Sequence, residues 1–300
     1  MTKKALVLGG GGPVGIAWES GLLTGFAEAG VDLSQADFIL GTSAGSFVGA
    51  QLAMGAAPAS LAAPFLAMGD APKTPRPAAP ARDPGRPAPD LTVLMRKMAE
   101  AASGKRPAQE VRAEIGAWAI EQSPMSEDDF IQSFGRFLAE LPANAWPQKG
   151  YACTAVDAAD GAFRLWDKAA GVGLARAVAS SCSVPGVYPP VTLNGRRYID
   201  GGMRSATNAD MAIGHDLVVV IALRLGAGGG VIGERLTAQF DQEIETLKDG
   251  GATVIVMTPD EASVAAFGSN LMDFRRRPDA ARAGLAQGLA DAKDLAAYWG

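Results

Sequence analysis

The stretch Leu40-Gly41-Thr42-Ser43-Ala44-Gly45 places a serine between two glycines, directly after an apolar run and before a helix-like segment. This pattern is typical of a strand that turns sharply into a helix. The residue at the apex adopts a strained backbone conformation, and the flanking glycines let the helix and the strand approach closely. A serine side chain held at the apex projects from the edge of the sheet, where its hydroxyl can reach a substrate carbonyl. The pattern therefore predicts that Ser43 is a nucleophile.

Patterns of strand and helix alternate along the chain. Apolar runs of strand length lie at 5–8, 38–40, 217–223 and 253–257. Helical patterns cover 13–29, 46–54, 91–102, 108–122, 126–141 and 280–299. The runs at 217–223 and 253–257 do not alternate with polar residues, which indicates strands covered on both faces, as in the parallel sheet of an α/β protein. Asp160-Gly161 predicts a hairpin turn between strands at 151–156 and 163–166.

A run of four glycines, Gly9 to Gly12, separates the first apolar run from the helical pattern that follows. Backbone N–H groups left free at the start of a helix can bind an oxyanion or a phosphate. Pro13 has no N–H, so the predicted donors are those of Gly10, Gly11 and Gly12. A tight turn whose glycines only permit close packing is the alternative interpretation, although a plain turn needs only one or two glycines.

The same run also fits a dinucleotide-binding fingerprint, with Gly10, Gly12 and Gly15 in register. A nicotinamide cofactor would require an acidic residue at the end of the second strand. Asp32 and Asp37 both precede that strand, and the strand itself ends in the serine turn. The sequence therefore disfavours dinucleotide binding, and we expect no cofactor.

A carboxylate on a tight turn is predicted at Tyr198-Ile199-Asp200-Gly201-Gly202, where an aspartate ends a strand and two glycines follow. Taken alone, this pattern is typical of an ordinary Asx turn. The order Ser43, Asp200, His215 mimics the triad of α/β-hydrolases. His215 is the single histidine, however, and it directly precedes the apolar run 217–223, which favours a role at the start of a buried strand.

Composition excludes several classes of protein. The 300 residues are 48% hydrophobic, enough for a substantial core, and the net charge of −5 provides no basic field for nucleic acid. Cys153 and Cys182 cannot form a disulfide framework and have no metal-site spacing with the histidine, so we expect no metal. The apolar start is too short for a signal peptide, and no apolar stretch is long enough to span a membrane. We expect a cytoplasmic protein.

Three motifs together resemble the patatin-like phospholipases: Gly10-Gly11-Gly12-Pro13-Val14-Gly15, Gly41-Thr42-Ser43-Ala44-Gly45 and Asp200-Gly201-Gly202. The stretch Ala179-Ser180-Ser181-Cys182-Ser183-Val184-Pro185-Gly186 and the region 268–288 are also similar to that family. The resemblance covers nearly the whole chain. It implies a three-layer α/β/α fold with a central, mostly parallel sheet in one domain over residues 1–300, with a proline-rich insert at about 70–90.

The resemblance also implies an activity. Ser43 would be the nucleophile and Asp200 the base of a Ser–Asp dyad, with Gly10, Gly11 and Gly12 forming the oxyanion hole. The implied reaction is hydrolysis of lipid or other acyl esters through an acyl-enzyme, without a metal or a cofactor. The oligomeric state stays open.

One departure from the family pattern stands at Val14, where the family usually carries Arg or Lys. The backbone donors are retained, but a cation near the oxyanion loop is missing. A non-catalytic lipid- or acyl-binding regulatory protein on the same fold is therefore the alternative.

A second question concerns 91–98, which mixes apolar residues with the basic pair Arg96-Lys97. This segment could contact a membrane surface or close over the site, with 72–89 as a flexible arm, but ordinary core packing is favoured.

Overall fold

A computed structural model of the chain describes residues 2–70, 91–224 and 230–300. The strands within these ranges are β1 (Lys4–Leu8), β2 (Phe38–Gly41), β3 (Gly150–Asp157), β4 (Phe163–Trp166), β5 (Val191–Leu193), β6 (Arg196–Asp200), β7 (Leu217–Ile221) and β8 (Thr253–Met257). The helices are α1 (Gly12–Glu28), α2 (Ala44–Ala53), α3 (Ala63–Asp70), α4 (Leu91–Ala102), α5 (Ala108–Glu121), α6 (Glu127–Ser133), α7 (Arg136–Ala139), α8 (Leu174–Ser181), α9 (Gly230–Asp249), α10 (Glu261–Phe267) and α11 (Arg277–Trp299). The proline-rich insert predicted at about 70–90 falls on residues 71–90, outside the described residues.

The strands form one sheet in the order β5-β6-β3-β2-β1-β7-β8, with β4 also paired to β3. The five strands from β3 to β8 in this order are parallel to one another, whereas β4 and β6 pair antiparallel with β3, and β5 pairs antiparallel with β6. Leu8 stands opposite both Gly41 and Ile221, so the carboxyl ends of the three central strands lie at the same edge. The predicted α/β fold with a mostly parallel sheet is confirmed, as is the hairpin between β3 and β4.

Helices cover both faces of the sheet. In β1, Leu6 and Leu8 belong to the core formed with α1, α2, α8 and α11, whereas Ala5 and Val7 belong to a second core formed with α9. Both faces of this strand are therefore apolar, which explains why its sequence does not alternate. β7 is buried throughout, as predicted.

Two predictions about secondary structure were wrong. β8 is not covered on both faces: it ends the sheet, and Thr253 and Val256 are exposed. The helix predicted over 126–141 is two helices, α6 and α7. Gly135 separates them with φ 76°, a left-handed conformation that no α-helix can contain.

The segment of uncertain role at 91–98 lies in α4, which packs against α5 and α9. Leu94 is buried with Val111 and Ile115 of α5, and Lys97 pairs with Glu114. Core packing of this helix is therefore the observed arrangement. No helix in the described ranges is both long and apolar enough to cross a membrane.

Contact between α1 and α11 depends on four glycines that face each other. A Cβ added to Gly21 or Gly25 would lie 2.2 or 2.4 Å from a carbonyl oxygen of α11. A Cβ added to Gly284 or Gly288 would lie 2.3 Å from a carbonyl oxygen of α1. The two backbones are therefore in direct contact along the middle and second half of α1.

We expect Gly284→Ala to lower the free energy of unfolding by about 1–3 kcal/mol, because the added methyl overpacks a contact between two backbones. Intrinsic helix propensity acts in the opposite direction, since alanine is favoured over glycine by about 1 kcal/mol. Urea denaturation measures the difference. Ala290→Leu, on the exposed side of the same helix, is the control and should stay within about 0.5 kcal/mol of the wild type. An unchanged stability for Gly284→Ala would contradict the close contact.

A buried carboxyl group lies in the middle of α1. Glu19 is fully buried, and neither of its carboxyl oxygens has a hydrogen-bond partner among the described residues. Burial raises the pKa of Glu19 well above its ordinary value of 4.5, because the charged form loses its hydration. The native protein therefore holds this proton over a pH range in which the unfolded chain releases it.

This difference predicts that stability is lost as the pH rises. Between the ordinary pKa of 4.5 and the raised native pKa, the free energy of unfolding of the wild type should fall relative to that of Glu19→Gln. The expected slope is about 1.4 kcal/mol per pH unit, which corresponds to one proton. Urea titrations of both proteins at several pH values measure it. Parallel pH profiles would show that Glu19 does not keep its proton on folding.

Candidate active site

The predicted strand-to-helix turn is present between β2 and α2. Ser43 adopts φ 51° and ψ −116°, a strained conformation for a residue with a side chain. A Cβ on Gly45 would lie 2.1 Å from the Leu8 carbonyl oxygen, and one on Gly41 would lie 2.4 Å from Ser46 Cα. Both glycines are therefore required by close contacts, and Ser43 is held at the carboxyl edge of the sheet.

The backbone of Ser43 is held by groups that the sequence analysis did not identify. Its N–H donates to Ser181 Oγ at 3.0 Å, and its carbonyl accepts from Ser46 Oγ at 2.6 Å and from Cys182 Sγ at 3.1 Å. Burial raises the pKa of the Cys182 thiol well above 9.0, so the thiol stays protonated and can donate. These bonds leave the serine hydroxyl itself uncommitted to the backbone.

Asp200 ends β6 and is 2% exposed. Its Oδ1 accepts from Gly202 N–H at 2.7 Å, which is the predicted Asx turn, and its own N–H donates to the Ser183 carbonyl at 3.0 Å. Oδ2 is buried and accepts no hydrogen bond of regular geometry within the described chain. The carboxyl group is thus fixed through one oxygen and has the other available.

Burial raises the pKa of Asp200 from 3.8 to about 7, because desolvation disfavours the carboxylate. The Ser43 hydroxyl and the Gly202 N–H lower this pKa and offset part of the effect. The Ser43 hydroxyl is therefore close enough to interact with the carboxyl group, although the regular hydrogen bond is not formed. The structure brings together the two residues that were predicted as a pair.

A buried polar network connects the loop after Asp200 to the serine turn. Thr42 and Thr154 share a hydrogen bond of 2.8 Å between their hydroxyls. Asn208 Nδ2 donates to Thr42 Oγ1 at 3.1 Å and to the Ser205 carbonyl at 2.7 Å. A Cβ on Gly201 would lie 2.1 Å from Thr154 Oγ1, so the loop rests directly on this network. These contacts join residues far apart in the chain, and no local sequence pattern indicates them.

The glycine run lies beside the serine turn, and one of its predicted donors needs correction. Gly10 N–H donates to the Ala206 carbonyl at 2.7 Å, so it is occupied and does not point to a substrate oxygen. Within the described chain, the N–H groups of Gly11 and Gly12 have no acceptor, and neither does that of Ala44 at the start of α2. The residue after the nucleophile is a regular donor at such turns, so the elbow pattern could have indicated Ala44.

A cavity of about 550 Å³ opens beside Ser43, a volume typical of small-molecule sites. Its walls come from α1, α2, α3, α6, α7 and the segments after α8 and α10. Aromatic side chains dominate them: Phe47, Phe65, Phe130, Phe134, Phe137, Tyr188 and Phe274. Among the side chains of α4 that the structure describes, none lines the cavity. The arrangement can hold an apolar chain with its polar end at Ser43.

His215 lies at the edge of the sheet where the parallel strands begin, opposite the edge that carries Ser43. It directly precedes β7, its Nδ1 is 2.8 Å from the Ala212 carbonyl, and its ring stacks on Phe38 at the start of β2. Five residues of extended chain, about 16 Å, separate Phe38 from Ser43. The triad interpretation with His215 is therefore wrong.

The requirements of a dinucleotide site are also not met. Asp32 accepts from Ser34 N–H in a short 3-10 turn, and Asp37 accepts from Lys4 N–H, so both lie before β2 rather than at its end. Among the described residues, no group of three or more His, Cys, Asp or Glu side chains could hold a metal ion.

Comparisons with known proteins agree with this fold. VipD from Legionella pneumophila has a similar structure, with a TM-score of 0.50 and 14% identity over 98% of this chain and 67% of VipD. The type III effector protein ExoU gives a TM-score of 0.36 at 16% identity, over 97% of this chain and 53% of ExoU, and is too distant to support an argument. No curated protein sequence matches. The sequence profile of the patatin-like phospholipases matches residues 6–213, more than half of the chain. The chain belongs to the patatin-like phospholipase family, whose members are lipid acyl hydrolases.

Proposed function

We propose that this protein is a serine hydrolase that cleaves lipid acyl esters through an acyl-enzyme on Ser43, with Asp200 as the base. One observation carries the proposal: the Ser43 hydroxyl lowers the pKa of the buried Asp200 carboxyl group, and Ser43 itself lines an apolar cavity. A serine at a strained turn, a buried carboxyl group that its hydroxyl influences and an apolar cavity support this proposal, as does membership of a family of lipid acyl hydrolases.

The reaction begins when Ser43 Oγ attacks the ester carbonyl carbon and its proton passes to Asp200 Oδ2. The tetrahedral intermediate collapses, the C–O bond to the alcohol breaks, and Asp200 returns the proton to the leaving oxygen. Water then attacks the acyl-enzyme, Asp200 accepts a proton from it, and Ser43 Oγ recovers that proton as the fatty acid leaves. At the end of the cycle Asp200 is again a carboxylate and Ser43 again carries its hydroxyl proton.

The negative charge on the intermediate needs hydrogen-bond donors that are already in position. The N–H groups of Gly12 and Ala44 fit this role, because both residues line the cavity with Ser43 and neither N–H has an acceptor in the described chain. The N–H of Gly11, the preceding residue of the glycine run, also has no acceptor there and is the third candidate. A donor of this kind contributes about 3–4 kcal/mol to stabilising the transition state. Gly12 adopts φ 58°, so a larger residue at this position would be strained.

Access to a lipid substrate implies contact with a membrane or micelle surface, and a cytoplasmic location fits the same activity. Both stay predictions. The cavity opens beside Ser43, and its wall includes the exposed Arg136, which could face such a surface.

We expect Ser43→Ala and Asp200→Asn each to lower kcat/KM for a monomeric acyl ester by at least about a thousandfold, because each removes one half of the dyad. His215→Ala is the matched control and should retain wild-type activity, since this residue lies at the other edge of the sheet. Asp200→Asn should be at least as stable as the wild type at pH 8, because burial of the carboxylate costs stability. Substantial turnover by either dyad variant would defeat the assignment.

Labelling with a fluorophosphonate, followed by peptide mass mapping, tests the nucleophile independently of substrate choice. We expect one adduct on Ser43 in the wild type and none in Asp200→Asn. Absence of labelling in the presence of detergent or lipid, together with equilibrium lipid binding that Ser43→Ala does not change, would instead support a binding protein.

The raised pKa of Asp200 predicts a pH profile. The base must be ionised to accept a proton, so kcat/KM should rise with unit logarithmic slope up to about pH 7. Above that pH the carboxylate form dominates and the rate should level off. Steady-state kinetics on a neutral ester, whose charge does not change with pH, measure this profile. A rate that is already constant from pH 5 upward would show that burial does not raise the pKa of the base.

A further inference from the structure

Glu243 in α9 is a buried carboxyl group that the proposed reaction does not use. The residue is 5% exposed. Its Oε2 accepts from Thr207 Oγ1 at 2.7 Å and from Ala209 N–H at 2.9 Å, whereas Oε1 is buried and accepts no hydrogen bond of regular geometry within the described chain. Burial of a carboxylate is costly unless hydrogen bonds compensate it. The bonds from Thr207 and Ala209 are the ones that compensate it here.

These bonds fix the loop 205–209, which follows the Asx turn of the predicted base. Burial raises the pKa of Glu243. Three donors of the loop lower it: the hydroxyls of Ser205 and Thr207 and the N–H of Ala209. A group that donates to the charged form of a carboxyl favours that form. Donors from three alternate positions of one loop thus converge on one carboxyl group, and the loop is held from α9.

The same loop holds the glycine run. The Ala206 carbonyl accepts Gly10 N–H at 2.7 Å. A Cβ on Gly10 would lie 3.6 Å from the Ala206 carbonyl oxygen and 3.5 Å from Ser43 Cβ, so Gly10 lies between the loop and the serine. Gly11 and Gly12 follow it, and their N–H groups have no acceptor in the described chain. The direction of those two N–H groups therefore depends on how the loop holds Gly10.

The loop also contacts the serine turn. Thr42, which directly precedes Ser43, donates its hydroxyl to the Thr207 carbonyl at 3.2 Å. Asn208 Nδ2 donates to Thr42 Oγ1 at 3.1 Å, and Asn208 N–H donates to Ser205 Oγ, also at 3.1 Å. One loop therefore bonds both to the glycine run and to the turn that carries the serine. A group that fixes this loop sets the position of one relative to the other.

We propose that Glu243 is a positioning residue that holds the loop 205–209 so that the N–H groups of the glycine run point to the oxyanion formed when Ser43 attacks. This inference rests on the proposed function of Ser43 and Asp200. Negative charge develops on the substrate oxygen only during attack, so a misdirected donor weakens transition-state binding and not substrate binding. Acylation and deacylation both form an oxyanion. Loss of Glu243 should therefore lower kcat and leave KM nearly unchanged.

The test measures kcat and KM for a neutral aryl ester, with urea denaturation to establish that each variant is folded. Glu243→Met keeps the length of the side chain and removes both acceptor oxygens. We expect its kcat to fall by at least about tenfold, part of the effect of losing one oxyanion donor, with KM within about twofold of the wild type. Glu243→Gln retains an acceptor oxygen for Thr207 and Ala209, so its kcat should stay within about threefold of the wild type.

Glu245→Met is the matched control. Glu245 lies on the same helix, but its side chain is 58% exposed and pairs with Lys248. The same chemical change is made there on the solvent side of α9. This variant should keep the kcat and KM of the wild type.

Two results would overturn the inference alone. A folded Glu243→Met with lower stability but the kcat of the wild type would show a purely structural role. A Glu243→Gln variant as slow as Glu243→Met would show that the acceptor oxygen is not what positions the loop. If Glu243→Met does not fold, Thr207→Val decides, because it removes one donor to Glu243 and keeps the shape of the side chain. Its kcat should fall by about fivefold, the effect of one hydrogen bond to a charged group, and an unchanged kcat would overturn the inference.

The wild type separates this inference from the proposed function. If it hydrolyses the aryl ester and Ser43 is labelled by the fluorophosphonate, the proposed function stands whatever the Glu243 variants show. If no ester is hydrolysed and Ser43 is not labelled, the proposed function fails and the inference fails with it.

Discussion

The contact on which the site depends is the one between Gly45 and the end of β1. The two backbones are so close that a Cβ on Gly45 would lie 2.1 Å from the Leu8 carbonyl oxygen, and Gly45 N–H donates to the Gly9 carbonyl at 2.9 Å. This contact holds the start of α2 against the glycine run. It brings the strained Ser43 and the unoccupied N–H groups of the run to one point, and neither feature alone would form a site.

Features with a local cause were predictable from the sequence. The serine turn, the glycine run and the Asx turn at Asp200 each follow from the conformations that two or three neighbouring residues can adopt. Features that depend on distant partners were not. β8 is exposed because it lies at the end of the sheet. The N–H group of Gly10 is occupied because it donates to the carbonyl of Ala206, which is almost two hundred residues away in the chain.

The proximity of Ser43 and Asp200 is one of the features that depend on residues far apart in the chain. Asp200 reaches the serine because β6 pairs antiparallel with β3, at the antiparallel end of the sheet. No periodicity in the sequence indicates that pairing, so only the resemblance to a family could suggest it. The aromatic cavity wall has the same origin, since α6, α7 and the segment before α11 meet there through tertiary packing.

The proposed dyad needs no histidine, because burial raises the pKa of Asp200. A general base works best when its pKa is near the working pH, which imidazole meets without help and an exposed carboxylate does not. Desolvation moves the pKa of Asp200 from 3.8 to about 7, into the range that imidazole occupies. The Gly202 N–H moderates the shift and fixes the carboxyl group through Oδ1. In the proposed mechanism, burial of one carboxylate therefore takes the place of the second and third members of a triad, and the loss of stability from that burial is the consequence of using only two residues.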